Sequence, residues 1–268
     1  MSADVFIFCA LNCEAKPLIE AWQLKLLQRR PYLIYANHNY ALVISGVGKI
    51  AMAGAVAYCM GLFKTKQPVL INLGIAGQAH YPIGSLWLAD KIIDDTTSRQ
   101  FFPSLTFLPE QVSCGLKTWV EPTADYQTDL MFDMEASAFY EMAIRFTAAE
   151  LIACLKIISD NFDEAIASIS EQKVQYWVSN QIQPIDHLVI KLSHARQRLP
   201  NTDDTVFQQI KQTWHFSQTN ESKLKLLLQQ WQVISEGKRL DWQISEAKNA
   251  KQILLWLQNQ VDELRFCL

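Results

Sequence analysis

Val69-Leu-Ile-Asn-Leu-Gly-Ile-Ala-Gly77 is the stretch that decides the fold. Its opening residues make an apolar run of the kind that forms a strand covered on both faces, and the run passes straight into two glycines. The pattern predicts a buried strand over 69–72 and a tight glycine turn over 74–77. Outward from it the same grammar repeats. Val5-Phe-Ile-Phe-Cys-Ala10 is a second continuous apolar run, and residues 14–27 follow with helix-like spacing. Residues 32–36 and 40–44 read as a hairpin around Asn37-His38-Asn39, and Gly46-Val-Gly48 turns into a small-residue helix over 50–63. Strand character resumes at 86–89. These alternations predict an α/β fold whose sheet is mainly parallel and carries helices on its faces.

Residues 94–129 hold Pro103, Pro109 and Pro122 and little periodicity, so loops with one or two short strands are expected there. Met131-Phe-Asp-Met-Glu135 then leads into a helix over 136–146. Residues 151–158 form a strand that ends in Ser159-Asp160-Asn161. Of nine glycines, only Gly237 follows Gly115. From about Ala165 glutamine becomes frequent, and five of the eight tryptophans appear. The chain therefore divides into an α/β domain over 1–165 and a helical C-terminal extension over 166–268. In the extension Leu254, Leu257, Val261 and Leu264 recur at helical spacing, giving an apolar face for the α/β domain, for neighbouring helices or for a partner protein.

Composition narrows the function classes. The 268 residues are 50% hydrophobic and 19% charged, with a net charge of −3, which suits a globular chain and argues against binding nucleic acid. Cys9, Cys13, Cys59, Cys114, Cys154 and Cys267 form no C-x-x-C pair and sit in apolar surroundings, as reduced core thiols do. Residues 5–11 read as a buried strand rather than a signal peptide, since Asp4 precedes them and Asn12, Glu14 and Lys16 follow. No apolar run reaches the roughly 18 residues of a membrane span. A cytoplasmic chain without membrane contact is expected.

Several motifs are excluded by spacing. Ser45-Gly-Val-Gly-Lys49 lacks the earlier glycine of a phosphate loop, and Ile50 replaces its hydroxyl residue. Gly46-x-Gly48 has Ala51 where a dinucleotide fingerprint needs glycine. What remains is a turn that presents backbone N–H groups at a helix start. Asp160-Asn-Phe-Asp163 lacks the glycine of a calcium loop. The five histidines are scattered, and there is no G-x-S-x-G. No metal and no cofactor is expected. Three acids do stand out, because Glu14, Glu135 and Asp160 each sit at a strand end or a helix mouth, where ligands of open α/β sheets bind. N-capping and surface pairing are the alternative roles for them.

Gly46-Val-Gly-Lys-Ile50, Ile71-Asn-Leu-Gly-Ile-Ala-Gly77, Phe132-Asp-Met-Glu-Ala-Ser137 and Ile158-Ser-Asp160 resemble, in order, the signature segments of the nucleoside phosphorylase and nucleosidase superfamily. The nearest branch is similar to the methylthioadenosine/S-adenosylhomocysteine nucleosidases and futalosine hydrolases. The resemblance spans roughly residues 3 to 165. It implies a three-layer α/β/α fold with a mixed, strongly twisted sheet that cleaves or phosphorolyses the N-glycosidic bond of a nucleoside, and hydrolysis of a purine nucleoside is the leading expectation. By the same resemblance Asp160 protonates the base, Glu135 holds the ribose hydroxyls, Met134 packs on the sugar and Glu14 activates water. Ser159, Gly46, Gly48, Gly74, Ala76 and Gly77 border the substrate. A homo-oligomer, such as a dimer, is expected by the same analogy.

The sequence also departs from that pattern. Ile75 stands where the family has a serine that helps hold water, Gln78 replaces the last glycine of that segment, and Lys156 stands where the nucleosidases often have arginine. The stretch 90–129 is short, leaving Phe101, Phe102, Trp119 and Tyr126 as candidates for a stacking wall. Glu14 and Lys16 follow the first strand without an arginine to fork a phosphate, which favours hydrolysis over phosphorolysis. A phosphorylase, or a nucleoside-binding protein whose tail meets a partner, remains the alternative.

Overall fold

The computed structural model describes residues 3–123, 128–199, 204–235, 238 and 240–265. It divides into two compact units, Met1–Arg196 and Gln197–Leu268. The first contains β1 (Val5–Cys9), α1 (Asn12–Ala21), β2 (Lys25–Gln28), β3 (Leu33–Ala36), β4 (Tyr40–Ile44), α2 (Lys49–Phe63) and β5 (Val69–Gly77). It continues with β6 (Leu86–Asp94), β7 (Gln100–Phe101), β8 (Ser113–Thr118), β9 (Met131–Asp133), α3 (Ala136–Ala143), β10 (Ile152–Asp160), α4 (Glu171–Asn180) and all but the last two residues of α5 (Ile182–Arg198).

The sheet is mixed rather than mainly parallel. β1 lies between β4 and β5, parallel to both, and β5 is also parallel to β10. β2, β3 and β4 extend it as an antiparallel meander, and β6 runs antiparallel to β10. β8 pairs in parallel with β6 and β9, while β9 meets β5 at Gly77. The pairings β5–β10–β6–β8–β9–β5 thus close a ring. β5 loses β1 after Asn72 and gains β9 at Gly77, so the sheet opens between them at the carboxyl end of β1. Crevices of that kind hold ligands in α/β folds.

Alternation assigns the two faces. Phe6 meets Phe63 of α2 edge-on at 5.1 Å between ring centroids, and Phe8 lies 5.7 Å from Phe139 of α3. α2 and α3 pack together on that face, and α1 and α4 pack together in another helix layer. A side chain at Gly54 of α2 would collide with the Tyr32 hydroxyl, which explains one of the small residues of this helix. The described cysteines are free and buried.

Three further expectations need correction. The helix predicted over 14–27 stops at Ala21, because the chain turns through Gln23 at φ 52° and Lys25–Gln28 pairs with β3 as an edge strand. The glycine turn predicted over 74–77 is strand: β5 runs through Gly77, carried by its register with β10. The compositional boundary near residue 165 also falls too early. Val174, Trp177, Val178, Ile185 and Leu188 of α4 and α5 are buried in the first unit, with Trp177 against Gly84 and Gln181 Nε2 donating to the Gly84 carbonyl at 2.8 Å. Trp22 Nε1 donates to Asp186 Oδ1 at 2.6 Å, and Arg196 binds the Gln67 carbonyl at 2.8 Å.

The second unit contains α6 (Asp204–Thr213), α7 (Gln218–Ile234) and α8 (Ala250–Arg265). Ile253, Leu254 and Leu257 of α8 join Phe207, Ile210, Leu224, Leu227 and Leu240 in one apolar cluster, so much of the face predicted from helical spacing is covered by neighbouring helices. Among the described residues no helix is long and apolar enough to cross a membrane, and no three His, Cys, Asp or Glu are grouped to hold a metal.

Candidate active site

Glu14 stands in the first turn of α1, directly beyond β1. Its Oε2 accepts the N–H groups of Ala10 and Leu11 at 2.9 and 2.8 Å, and its Oε1 accepts the Ile75 N–H at 3.0 Å. Part of this is helix capping, since a glutamate here reaches back to orphan N–H groups. A carboxylate offers about four acceptor sites, so one remains for a ligand or a water. Burial raises the Glu14 carboxyl above its ordinary range, opposed by those three N–H groups and by Lys156.

Glu135 precedes α3 but does not cap it. Its Oε1 accepts the Gly48 N–H at 2.8 Å, reaching across to the start of α2. Gly48 has φ +97°, a conformation that side-chain-bearing residues rarely adopt, which accounts for glycine there. The α3 N-terminus is capped instead by Asp133, whose Oδ2 accepts the N–H groups of Glu135 and Ala136 at 3.2 and 2.8 Å. Burial, and next the charge of Asp133, push the Glu135 carboxyl up to about 7.

Lys156 is fully buried beneath these acids. Its ammonium pairs with Asp133 Oδ2 at 2.7 Å and donates to Asn72 Oδ1 at 2.8 Å. Burial works against its charge, but Asp133 and then Glu135 hold its pKa at about 12. Thr118 Oγ1 completes the cluster by donating to Asp133 Oδ1 at 2.7 Å.

Asp160 ends β10 beyond a bulge: Ile158 pairs with Ala76 and Asp160 with Gly77, leaving Ser159 as the extra residue. Bulges re-aim side chains, and here the Asp160 carboxylate lies against the β5 backbone. A Cβ at Gly77 would come within 2.5 Å of Asp160 Oδ2. Ser159 Oγ donates to Asp160 Oδ1 at 2.6 Å.

These groups converge. Glu14, Glu135 and Asp160, with Met134, Ser159, Ala76 and Gly77, line one cavity of about 280 Å³. Its walls are otherwise largely apolar, including Leu11, Val47, Phe132 and Ile169. Among the described residues it has no lysine, arginine or histidine in its lining. Such a site combines acceptor groups for hydroxyls with carboxyls whose protonation burial has altered.

No protein-family model matches the sequence, and a search of curated proteins finds no match. Solved structures do match. The 5′-methylthioadenosine nucleosidase of Arabidopsis thaliana superposes with a TM-score of 0.59 at 17% identity, covering 71% of this chain and 96% of that one. A mutant nucleosidase of Helicobacter pylori with 5′-methylthioadenosine in its active site gives 0.58 at 13% identity, covering 71% and 100%. A futalosine hydrolase mutant of the same organism gives 0.55 at 12%, again covering 71% and 100%. The fold is that of the nucleosidases.

Of the glycines expected to border the substrate, Gly77 lines the cavity, while Gly46, Gly48 and Gly74 are not among its lining residues. Gly46 donates its N–H to the Ala10 carbonyl at 3.1 Å, and Gly48 holds Glu135. Gly74 gives room to the carboxylate of Glu14 and the ammonium of Lys156. Of the four aromatic candidates for a stacking wall, Trp119 lines the cavity. Phe101 packs on Tyr140, Phe102 is exposed, and Tyr126 lies outside the described residues. Gln78 is a turn former, its Oε1 accepting the N–H groups of His80 and Tyr81 at 2.7 Å each. Asn72, Asp133 and Thr118 are not among the site residues that the sequence points to. Asn72 alone carries a signal, because an asparagine inside an otherwise apolar strand requires a buried partner.

Proposed function

We propose that the protein hydrolyses the N-glycosidic bond of a purine nucleoside, with or without a 5′ substituent, and releases the free base. The observation carrying this reading is the convergence of Glu14, Glu135 and Asp160 on one cavity whose described lining includes no cationic side chain. Breaking this bond leaves an oxocarbenium-like sugar, so negative charge beside the sugar and a proton for the departing base both lower the barrier. In this scheme Asp160, held by Ser159, delivers the proton to purine N7. Glu135 accepts from the ribose hydroxyls, with Met134 packed on the sugar. Glu14 uses its remaining acceptor site to orient a water and take its proton. Phosphate would meet carboxylates and no arginine fork, which favours water as the nucleophile. The names of the structural neighbours, methylthioadenosine nucleosidase and futalosine hydrolase, agree with this chemistry.

The test is a product assay over adenosine, inosine, methylthioadenosine, adenosylhomocysteine and futalosine, each with and without phosphate. Base release independent of phosphate is expected, reduced by about 10²-fold or more in Asp160→Asn. Release only with phosphate would replace the hydrolase by a phosphorylase. Ile75, an aliphatic residue on the cavity wall, motivates one other reading. Thermal stabilisation by these nucleosides without turnover would make the protein a nucleoside-binding one.

A further inference from the structure

Asp94 ends β6 and is absent from the lining of the cavity, yet it is only 7% exposed. Its Oδ2 accepts from Lys49 Nζ at 2.9 Å and from Ser137 Oγ at 2.7 Å. Its Oδ1 accepts from the Thr97 N–H and hydroxyl, each at 2.9 Å. Four donors fill the acceptor capacity of a carboxylate. Although burial opposes its charge, Lys49, Ser137 and Thr97 hold its carboxyl well below the ordinary range.

The partners of Asp94 have a common property. Lys49 directly follows Gly48, the donor to Glu135. Ser137 stands two residues beyond Glu135 on α3. One carboxylate therefore grips both segments that meet at the Gly48–Glu135 hydrogen bond. Ser137 is held a second time, its N–H donating to Thr118 Oγ1 at 3.0 Å, and Thr118 donates to Asp133. A continuous polar chain thus runs from Lys49 through Asp94, Ser137, Thr118, Asp133 and Lys156 to Asn72, whose Nδ2 donates to the Phe8 carbonyl on β1 at 3.2 Å. Lys49 and Asp94 anchor its outer end.

We propose that Asp94 is a positioning residue for Glu135: by holding Lys49 and Ser137 together it sets the approach of the Gly48 amide to the Glu135 carboxylate, and so how that carboxylate is presented to a ligand. The catalytic consequence rests on the nucleosidase reading above, whereas the mechanical part is tested without turnover. A residue that merely staples the fold would lower stability and leave the Gly48–Glu135 bond unchanged. A positioning residue loosens that bond.

The reporter is the Gly48 amide in isotopically labelled full-length protein. In the unsubstituted protein its proton resonance should follow pH with a midpoint near 7 as Glu135 ionises, and Glu135→Gln should abolish that response. Asp94→Asn, Lys49→Met and Ser137→Ala should each shrink the response and speed Gly48 hydrogen exchange by about tenfold or more, a coupling of the size found within one hydrogen-bond network. Lys49→Arg, which keeps the ion pair, should restore both. The single-arm variants carry the test if Asp94→Asn does not fold. Unchanged Gly48 titration and protection in the folded variants would overturn the proposal. If the unsubstituted protein releases adenine from methylthioadenosine, the same variants should raise KM more than they lower kcat. If it releases no base from any nucleoside, the hydrolase reading falls, and the amide measurements still decide the role of Asp94.

Discussion

Glu135 should cost the protein stability whenever it is ionised. Burial and the adjacent Asp133 push its carboxyl from 4.5 to about 7, so in that window the folded chain retains a proton that the unfolded chain releases. Stability from this group is then greatest at or below about pH 4.5 and declines as pH rises through the window, with the full cost present above about 7. Each pH unit corresponds to about 1.4 kcal/mol, which gives up to about 3 kcal/mol. Glu135→Gln removes the charge while its amide oxygen can still accept the Gly48 N–H. The variant should match the unsubstituted protein near pH 4.5 and exceed it by up to about 3 kcal/mol at pH 8, or roughly 6–12 °C in Tm. Urea and thermal unfolding of the full chain across that pH range measure the difference. An identical pH dependence in the two proteins would refute the argument that Glu135 is held in an energetically costly state. In the proposed reaction the same substitution should slow base release, as expected where a functional group is kept at the expense of stability.

Other perturbations probe different parts of the site. Lys156→Met leaves Asp133 buried without its counter-charge and should destabilise the first unit by about 3–5 kcal/mol, measured by urea unfolding. Adding Asp133→Asn should recover part of that loss, because the uncompensated charge is gone while an amide oxygen can still cap α3. Gly77→Ala places a methyl group against Asp160 Oδ2 and should reduce base release about as severely as Asp160→Asn. If Gly77→Ala retained full activity, Asp160 would not need its seat on the β5 backbone. Trp177→Ala should destabilise the first unit by about 3–5 kcal/mol in thermal unfolding, because it removes the ring packed on Gly84.

Much of the architecture is legible from local pattern. Continuous apolar runs at Val5–Cys9 and Val69–Ile71 mark strands, since a strand covered on both faces is built mainly from apolar residues. Glu14, Glu135 and Asp160 stand out because strand ends and helix mouths are where such folds leave polar groups available. The edge strand Lys25–Gln28 is not legible in this way: its residues suit a helix equally well, and pairing with Leu33–Ala36 decides the matter. Likewise the extension of β5 through Gly77 depends on β10, which lies about eighty residues away in sequence and supplies the hydrogen bonds that two glycines would not otherwise justify. Composition shifts near Ala165 because helices begin there, yet α4 and α5 bury their apolar residues in the first unit. A change of element type is not a change of core.

The buried strands at Val5–Cys9 and Val69–Ile71, the short motifs and the three acids near strand ends are properties of consecutive residues, and the sequence by itself determines them. Which charges share a buried space is not such a property. Asp133, Lys156 and Asn72 come from β9, β10 and β5, and Asp94 reaches Lys49 and Ser137 from β6. Their meeting depends on the closed circuit of strands. Burial and neighbouring charge act through space, so the same glutamate is an ordinary acid on a surface and an acid of about 7 beside Asp133. Tertiary structure alone sets that value.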